Sequence, residues 1–371
     1  MEAQIALELG YRVDIATGQG PTDHQLISQG VTGVNHWRFP ALTKYIYPHR
    51  DLKAFLDLYL FFRRQRYDIV HTHLAKAGVI GRLAAGLAGV PIIVHDVHGP
   101  SFSGAHSWSR RNLFVTLERL AGSVTTHYVF YTAHLKEAFE AQGIGMKADK
   151  RVIYPDLRLR AFLEAPQLTA PERDRLRLLW QLTPEHLVIG YAARMVPSKA
   201  HHLAIKALPY LLDCWPQVRL LLVGGAIWPE EQAYLRRLQS LVKDLKLEGR
   251  VIFAGHQTQM IPFYQIIDLF VMPSLYEGTA NVMLEALSMG LPVVAFDIPA
   301  VHELCPSAVI ICPLGDVAGL ARGIVQAMAN GQLQRHHGGP GRAFRENLVE
   351  KFSPARWREN LAGFYREINL I

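Results

Sequence analysis

Two carboxylates eight positions apart, Glu277 and Glu285, lie in the stretch PSLYEGTANVMLEALSMGLPVVAFDIP, residues 273–299. The apolar run Asp268 to Met272 reads as a buried strand and Leu291 to Phe296 as another, so the residues between them should form a helix. Thr279 is a fitting N-cap, Ala280 to Met289 are good helix formers, and Gly290 with Pro292 stops the helix. Asn281, Glu285 and Ser288 then share one helical face. Glu277 and Gly278 stand just before the first turn, where backbone N–H groups have no intrahelical partner and the helix dipole is positive, a place suited to phosphate. One carboxylate at the mouth and a second along the same helix can hold two hydroxyl-bearing parts of a ligand while the helix N-terminus takes its charged centre. A nucleotide sugar, with its sugar, diphosphate and ribose, has that layout. The spacing alone favours the plainer reading, a loop charge at Glu277 and an exposed helix residue at Glu285. A second pair of groups, Arg194 and Lys199, lies in the loop ARMVPSKAHHLAIKAL, where two cations either hold a diphosphate or stay solvated.

The string EGTANVMLEALSMGLPVVA resembles the E-x7-E region of retaining glycosyltransferases of the GT-B fold, family 4, the glycosyl transferases group 1. The likeness runs over most of the chain, since YDIVHTHLAKAGVIGRLAAGLAGVPIIVHDVHG looks like the acceptor-side domain of the same family. The resemblance implies that Glu277 contacts the donor sugar and Glu285 the nucleotide ribose, with Gly278 and Thr279 beside them at the helix mouth. It implies that Arg194 and Lys199 take the diphosphate, and that His98 lies close to the transferred sugar in a catalytic role shared with Glu277. Two positions depart from the family pattern. Ala200 stands where a glycine follows the lysine, and YPDLRL replaces an Asn-Gly-Ile-Asp type turn.

Strands and helices alternate throughout, which means parallel sheets joined by crossover helices. The expected fold class is α/β, GT-B: two Rossmann-like domains with parallel sheets facing across a cleft. The first should span 1–165, with a last strand at Val152 to Pro155. The polar, Pro-bearing segment 165–173 (APQLTAPER) reads as a linker, and the second domain should span 166–345. By resemblance, 346–371 carries a terminal helix that returns to the first domain. Only MEAQIALELG, with helical spacing, precedes the strand Tyr11 to Thr17. A sheet of order 3-2-1-4-5 places its first strand centrally. The expectation is that this strand and its Gly-rich loop, roughly 15 to 20 residues, belong upstream of Met1, and that the strands flanking the open position present unpaired edges.

Composition narrows the function further. The 371 residues are 50% hydrophobic and 19% charged, enough for two cores, and no run of 18 apolar residues marks a spanning helix. No signal-like start is present, so the expected location is cytoplasmic, with a peripheral contact at the inner face of the membrane. Cys214, Cys305 and Cys312 fall in no CxxC pattern and fit buried thiols. The net charge of +7 permits nucleic-acid binding, yet no aromatic-basic motif accompanies it and nucleic acid is not an expected partner. The basic clusters Arg63, Arg64, Arg66 and Arg110, Arg111 suit an anionic membrane surface instead. GQGPTD is not a dinucleotide fingerprint, which disfavours hydride transfer. His71 and His73 lie on one side of a strand, and H-x-H alone does not make a metal site. No Asp-x-Asp occurs, so neither a metal held by that motif nor any cofactor is expected. The expected reaction moves a sugar from a nucleotide-sugar donor to a saccharide or lipid-linked saccharide with retained anomeric configuration. The alternatives are a nucleotide-sugar 2-epimerase and a catalytically inactive nucleotide-sugar-binding protein.

Overall fold

The computed structural model describes residues 2–18, 32–99, 102, 108–329 and 339–368. Among them are twelve strands: β1 (Asp14–Thr17), β2 (Asn35–Arg38), β3 (Ile69–His73), β4 (Ile92–Val97), β5 (His127–Phe130), β6 (Asp149–Val152), β7 (Leu187–Ala192), β8 (Val218–Val223), β9 (Val251–Gly255), β10 (Leu269–Met272), β11 (Val293–Phe296) and β12 (Val309–Cys312). Every bonded pair is parallel. The chain forms two compact units, Met1–Asp156 with Pro354–Ile371, and Leu157–Ser353.

In the first unit β3-β4-β5-β6 form one sheet and β1-β2 another. The sheet of four is apolar on both faces. Val94 and Val129 pack against Ile5, Trp357 and Leu361 on one side, while Val70 and Ile93 pack against Leu58, Phe62 and Ala84 on the other. Covering both faces is what makes IIVHDV read as a near-continuous apolar run. β1 is bonded to β2 alone and β3 to β4 alone, so the edges that the sequence expected to be unpaired carry no strand partner among the described residues. A cavity of about 670 Å³ separates them, lined by Ile15, Leu42, Phe61, Ile69 and Val70 among others.

The second unit holds a six-stranded sheet of order β12-β11-β10-β7-β8-β9. β7 comes first in sequence and lies inside the sheet. The chain winds away from it through β8 and β9, then returns to its other side at β10. The gap between β7 and β10 is therefore the switch point at which doubly wound sheets gather ligands, beyond the carboxyl ends of the strands.

Several expected boundaries move. The last strand of the first unit is Asp149–Val152, not 152–155. It is an edge strand with alternating exposure and the sequence DKRV, so it carries no apolar run to find, and Pro155 has no N–H to give a ladder. The segment 165–173 belongs to the second unit instead of lying between two units. Gln265 Nε2 donates to the Pro166 carbonyl (2.8 Å), and Arg173, only 5% exposed, is sealed onto the carbonyls at the end of the helix Ile261–Ile266, just before β10. The return at the C-terminus begins at Pro354: the helix Arg342–Lys351 stays with the second unit, and Pro354–Ile368 buries Trp357, Leu361 and Tyr365 in the first. No helix among the described residues is long and apolar enough to cross a membrane.

Candidate functional site

The loop leaving β7 carries both expected cations. It turns through a short 3-10 segment, Pro197–Lys199, into Ala200, which is buried and left-handed at φ 48°. Glycine would be relaxed in that conformation, so alanine is accommodated there with backbone strain. Gly224 after β8 clamps the start of the loop, for a Cβ on it would lie 1.8 Å from the Ala193 carbonyl oxygen. Arg194 projects outward with 68% of its side chain exposed, and its Nη1 lies 3.2 Å from Glu231 Oε1. Glu231 is itself buried, its other oxygen accepting from the N–H groups of Ile227 (2.9 Å) and Trp228 (3.2 Å). The guanidinium is steadied from behind and faces water in front.

The loop leaving β10 supplies Glu277, and it is tied to the β7 loop by Leu275 N–H donating to the Ser198 carbonyl (2.9 Å). Lys199 Nζ lies 2.6 Å from Glu277 Oε2, an ion pair with 21% and 9% of the two side chains exposed. Ser274 Oγ, fully buried, donates to Glu277 Oε1 (2.6 Å). Tyr191 Oη donates to the Lys199 carbonyl (2.9 Å) and sits 2.8 Å from Ser274 Oγ. Burial, reinforced by the Glu277 charge, pushes the Tyr191 hydroxyl well above its ordinary range, so it remains a neutral donor. Each oxygen of the Glu277 carboxylate is thus held by its own partner, Ser274 or Lys199, and Tyr191 braces both partners, which leaves few ways to turn away from whatever enters.

The helix behind it spans Asn281–Ser288, and here the expected cap is corrected. Ala280 occupies the N-cap position in the left-handed region (φ 47°), and Thr279 Oγ1 bonds the Asn281 side chain instead of a backbone N–H. The left-handed residue turns the chain sharply between Gly278 and the helix, which takes Thr279 off the helix axis. The shared polar face is also shorter than expected, because Ser288 is fully buried and donates to the Leu284 carbonyl (2.8 Å). Glu285 is half-buried, and Tyr264 Oη donates to its Oε2 (2.7 Å) and to the Val282 carbonyl (3.1 Å). Burial raises the Glu285 carboxyl above its ordinary value, partly offset by the Tyr264 hydrogen bond.

The first unit places His98 at the exposed end of β4, with Nε2 3.5 Å from His73 Nδ1 and its ring centroid 4.4 Å from that of Tyr131. His71 and His73 do share one face of β3, their rings stacked at 4.8 Å. His71 bridges Asp96 Oδ1 (2.6 Å) and Tyr365 Oη (2.7 Å), and His73 Nε2 lies 3.2 Å from Glu2. Asp96 is 1% exposed, and burial pushes its carboxyl up to about 6. Glu2, His71 and His73 form one group whose ligand atoms lie within 4.8 Å of one another, and His73, Asp96 and His98 a second. Imidazoles with a carboxylate are donors of the kind zinc takes, although here they also satisfy each other. Asp96, Ser274, Tyr191 and Tyr264 were not singled out from the sequence. Asp96 alone gave a signal, an acid at the end of an otherwise apolar strand.

Comparison with known proteins agrees with this anatomy. Residues 186–330 match the family model "Glycosyl transferases group 1", and residues 3–156 match "Glycosyl transferase 4-like domain". The chain is 30% identical over 261 residues to the UDP-Gal:alpha-D-GlcNAc-diphosphoundecaprenol alpha-1,3-galactosyltransferase of Escherichia coli, covering 70% of this chain and 65% of that protein's length. It is 25% identical to the capsular polysaccharide biosynthesis glycosyltransferase CapM of Staphylococcus aureus, covering 85% and 80% of the two chains. Among solved structures, Anabaena HepE in complex with UDP and glucose superposes with a TM-score of 0.76 at 22% identity, covering 98% of this chain and 94% of the other. Sucrose-phosphate synthase from Thermosynechococcus elongatus gives 0.79 at 21%, covering 100% and 92%. These two likenesses establish the fold, GT-B.

Proposed function

Because this chain belongs to the glycosyl transferases group 1, with a glycosyl transferase 4-like domain preceding the matched C-terminal domain, we propose that it transfers a sugar from a nucleotide-sugar donor to an acceptor, retaining the anomeric configuration. The observation that carries this reading is the Lys199–Glu277 ion pair at the switch point, with Arg194 on the same loop as Lys199. A nucleoside diphosphate leaves a glycosyl centre as that centre becomes cationic, so the site must favour negative charge on the departing oxygens. Two cations ahead of a helix N-terminus do this without reorganisation. Glu277, held by Ser274 and Lys199, presents a fixed carboxylate to the donor sugar, and Glu285 accepts from the ribose hydroxyls. By the family resemblance we assign His98, the residue after β4, to the transferred sugar. The acceptor we propose is a saccharide or lipid-linked saccharide, the class that the Escherichia coli relative's name carries.

The test is a screen of nucleotide-sugar donors that scores release of nucleoside diphosphate, run with and without chelator. Since cations of the chain face the diphosphate, turnover should persist in chelator. Loss of turnover that magnesium or manganese restores would assign the charge stabilisation to a metal.

Glu285 should separate binding from chemistry. Glu285→Ala removes an acceptor for the ribose and leaves the Tyr264 hydroxyl without its carboxylate. Hydrogen bonds to a charged group are worth about 1.5 to 3 kcal/mol, so donor affinity should fall roughly 10- to 150-fold with turnover at saturation little changed. Unchanged affinity by calorimetry would remove Glu285 from the donor site.

A further inference from the structure

The helix Pro48–Gln65 is apolar on both sides, and the fold uses only one. Ala54, Leu58 and Phe62 are buried, and the last two pack with Val70 and Ala84. On the other side Leu52, Leu56 and Leu60 are 60%, 47% and 48% exposed. Their four-residue spacing makes one row, about 12 Å long at 1.5 Å per residue. A single exposed leucine needs no explanation, but an ordered row marks a contact surface. Arg63 and Arg64, both exposed, continue the row at one end. Ile46 (56% exposed) and Tyr47 (41%) precede the helix at the other.

Charge decides what this row meets. Residues 44–66 contain six cations, Lys44, Arg50, Lys53, Arg63, Arg64 and Arg66, and two acids, Asp51 and Asp57, so the segment carries 6 − 2 = +4 of the chain's net +7. Both acids are already engaged, Asp57 with Lys53 (2.9 Å) and Asp51 with Lys76 (2.5 Å). A second copy docked here about a two-fold axis would bring like charges together. An anionic lipid surface offers negative charge along the whole row and no shape to match. Leucines on a surface-lying helix can enter the acyl boundary while arginine stems lie along it and their heads reach phosphate.

We propose that the outward face of Pro48–Gln65 is a membrane-docking surface, with Leu52, Leu56 and Leu60 entering an anionic bilayer and Arg63 and Arg64 on its phosphates. The inference does not depend on the donor site, because docking is read without donor or acceptor. The experiment is co-sedimentation of the full chain with vesicles of phosphatidylcholine containing phosphatidylglycerol, and with phosphatidylcholine alone. Binding should favour the anionic vesicles and weaken with salt. The partition coefficient should drop at least about tenfold in Leu56→Gln/Leu60→Gln and in Arg63→Gln/Arg64→Gln. All four positions are exposed, so unchanged thermal unfolding of both variants separates lost docking from lost fold. Absence of binding, equal binding to both vesicle types, or wild-type binding by the leucine variant overturns the proposal. So does a dimer in sedimentation velocity that the leucine variant dissociates, which would give the face to a second copy.

Discussion

Glu277→Gln should lower turnover on the order of 10²- to 10³-fold while the protein remains folded. The size follows from what one preorganised charged group contributes where charge develops in a transition state. Glu277 is held by Lys199 Nζ at 2.6 Å and Ser274 Oγ at 2.6 Å, and Tyr191 steadies both of those neighbours. Glutamine keeps the volume and an acceptor for Ser274 but removes the charge, so the loss should fall on turnover and much less on donor affinity. Lys199→Met should lose turnover as well. Because the two groups act as a pair, the double variant should be only slightly worse than the worse single one. Steady-state rates and calorimetric donor affinity on the three variants, with their unfolding midpoints, check this. Wild-type turnover in Glu277→Gln would remove the residue from the chemistry, and strictly multiplicative losses would deny the coupling.

What could be read ahead of the structure was whatever lies within one stretch of chain. The apolar runs of β7, β10 and β11 and the Glu277 to Glu285 spacing are local patterns, and the structure places them at the switch point. The partners that fix Glu277 come from elsewhere. Tyr191 lies 83 positions from Ser274 and appears in sequence as one more residue in a buried strand. His71 and Asp96 are 25 positions apart and meet because β3 and β4 pair in register. Thr279 looked like a cap because its residue type favours one, but capping depends on backbone angles, and the left-handed Ala280 overrides the type. The segment 165–173 looked like a linker because it is polar and bears prolines. Its one contrary signal was Thr169 followed by Glu172: the Glu172 carboxylate accepts from the Thr169 N–H (2.8 Å) and opens the helix Ala170–Leu178.

That helix is the basis of the largest stability effect expected in the chain. Its two buried arginines, Arg173 and Arg177, are 5% and 1% exposed, and both turn toward Asp268, the residue before β10. Asp268 Oδ1 lies 2.6 Å from Arg173 Nη2 and Oδ2 lies 2.8 Å from Arg177 Nη2, while the Val188 N–H donates to Oδ2 at 2.8 Å. Both also donate to carbonyls, Arg173 to Gln265 (3.0 Å) and Ile267 (3.2 Å), Arg177 to Ile266 (3.0 Å) and His186 (3.1 Å). Carbonyls satisfy hydrogen bonding but neutralise no charge, so Asp268 is the counter-ion of two buried cations. Asp268→Ala strips both and leaves the Val188 N–H without its acceptor. Breaking a buried pair from one side costs about 3 to 5 kcal/mol, a large share of a domain's roughly 5 to 15. With a urea slope of at most about 3 kcal/mol per molar, the unfolding midpoint should fall by at least about 1 M. Asp268→Asn keeps one acceptor oxygen without the charge and should fall between the variant and wild type, whereas an Asn variant as stable as wild type would mean that carbonyl dipoles alone hold the two guanidinium groups.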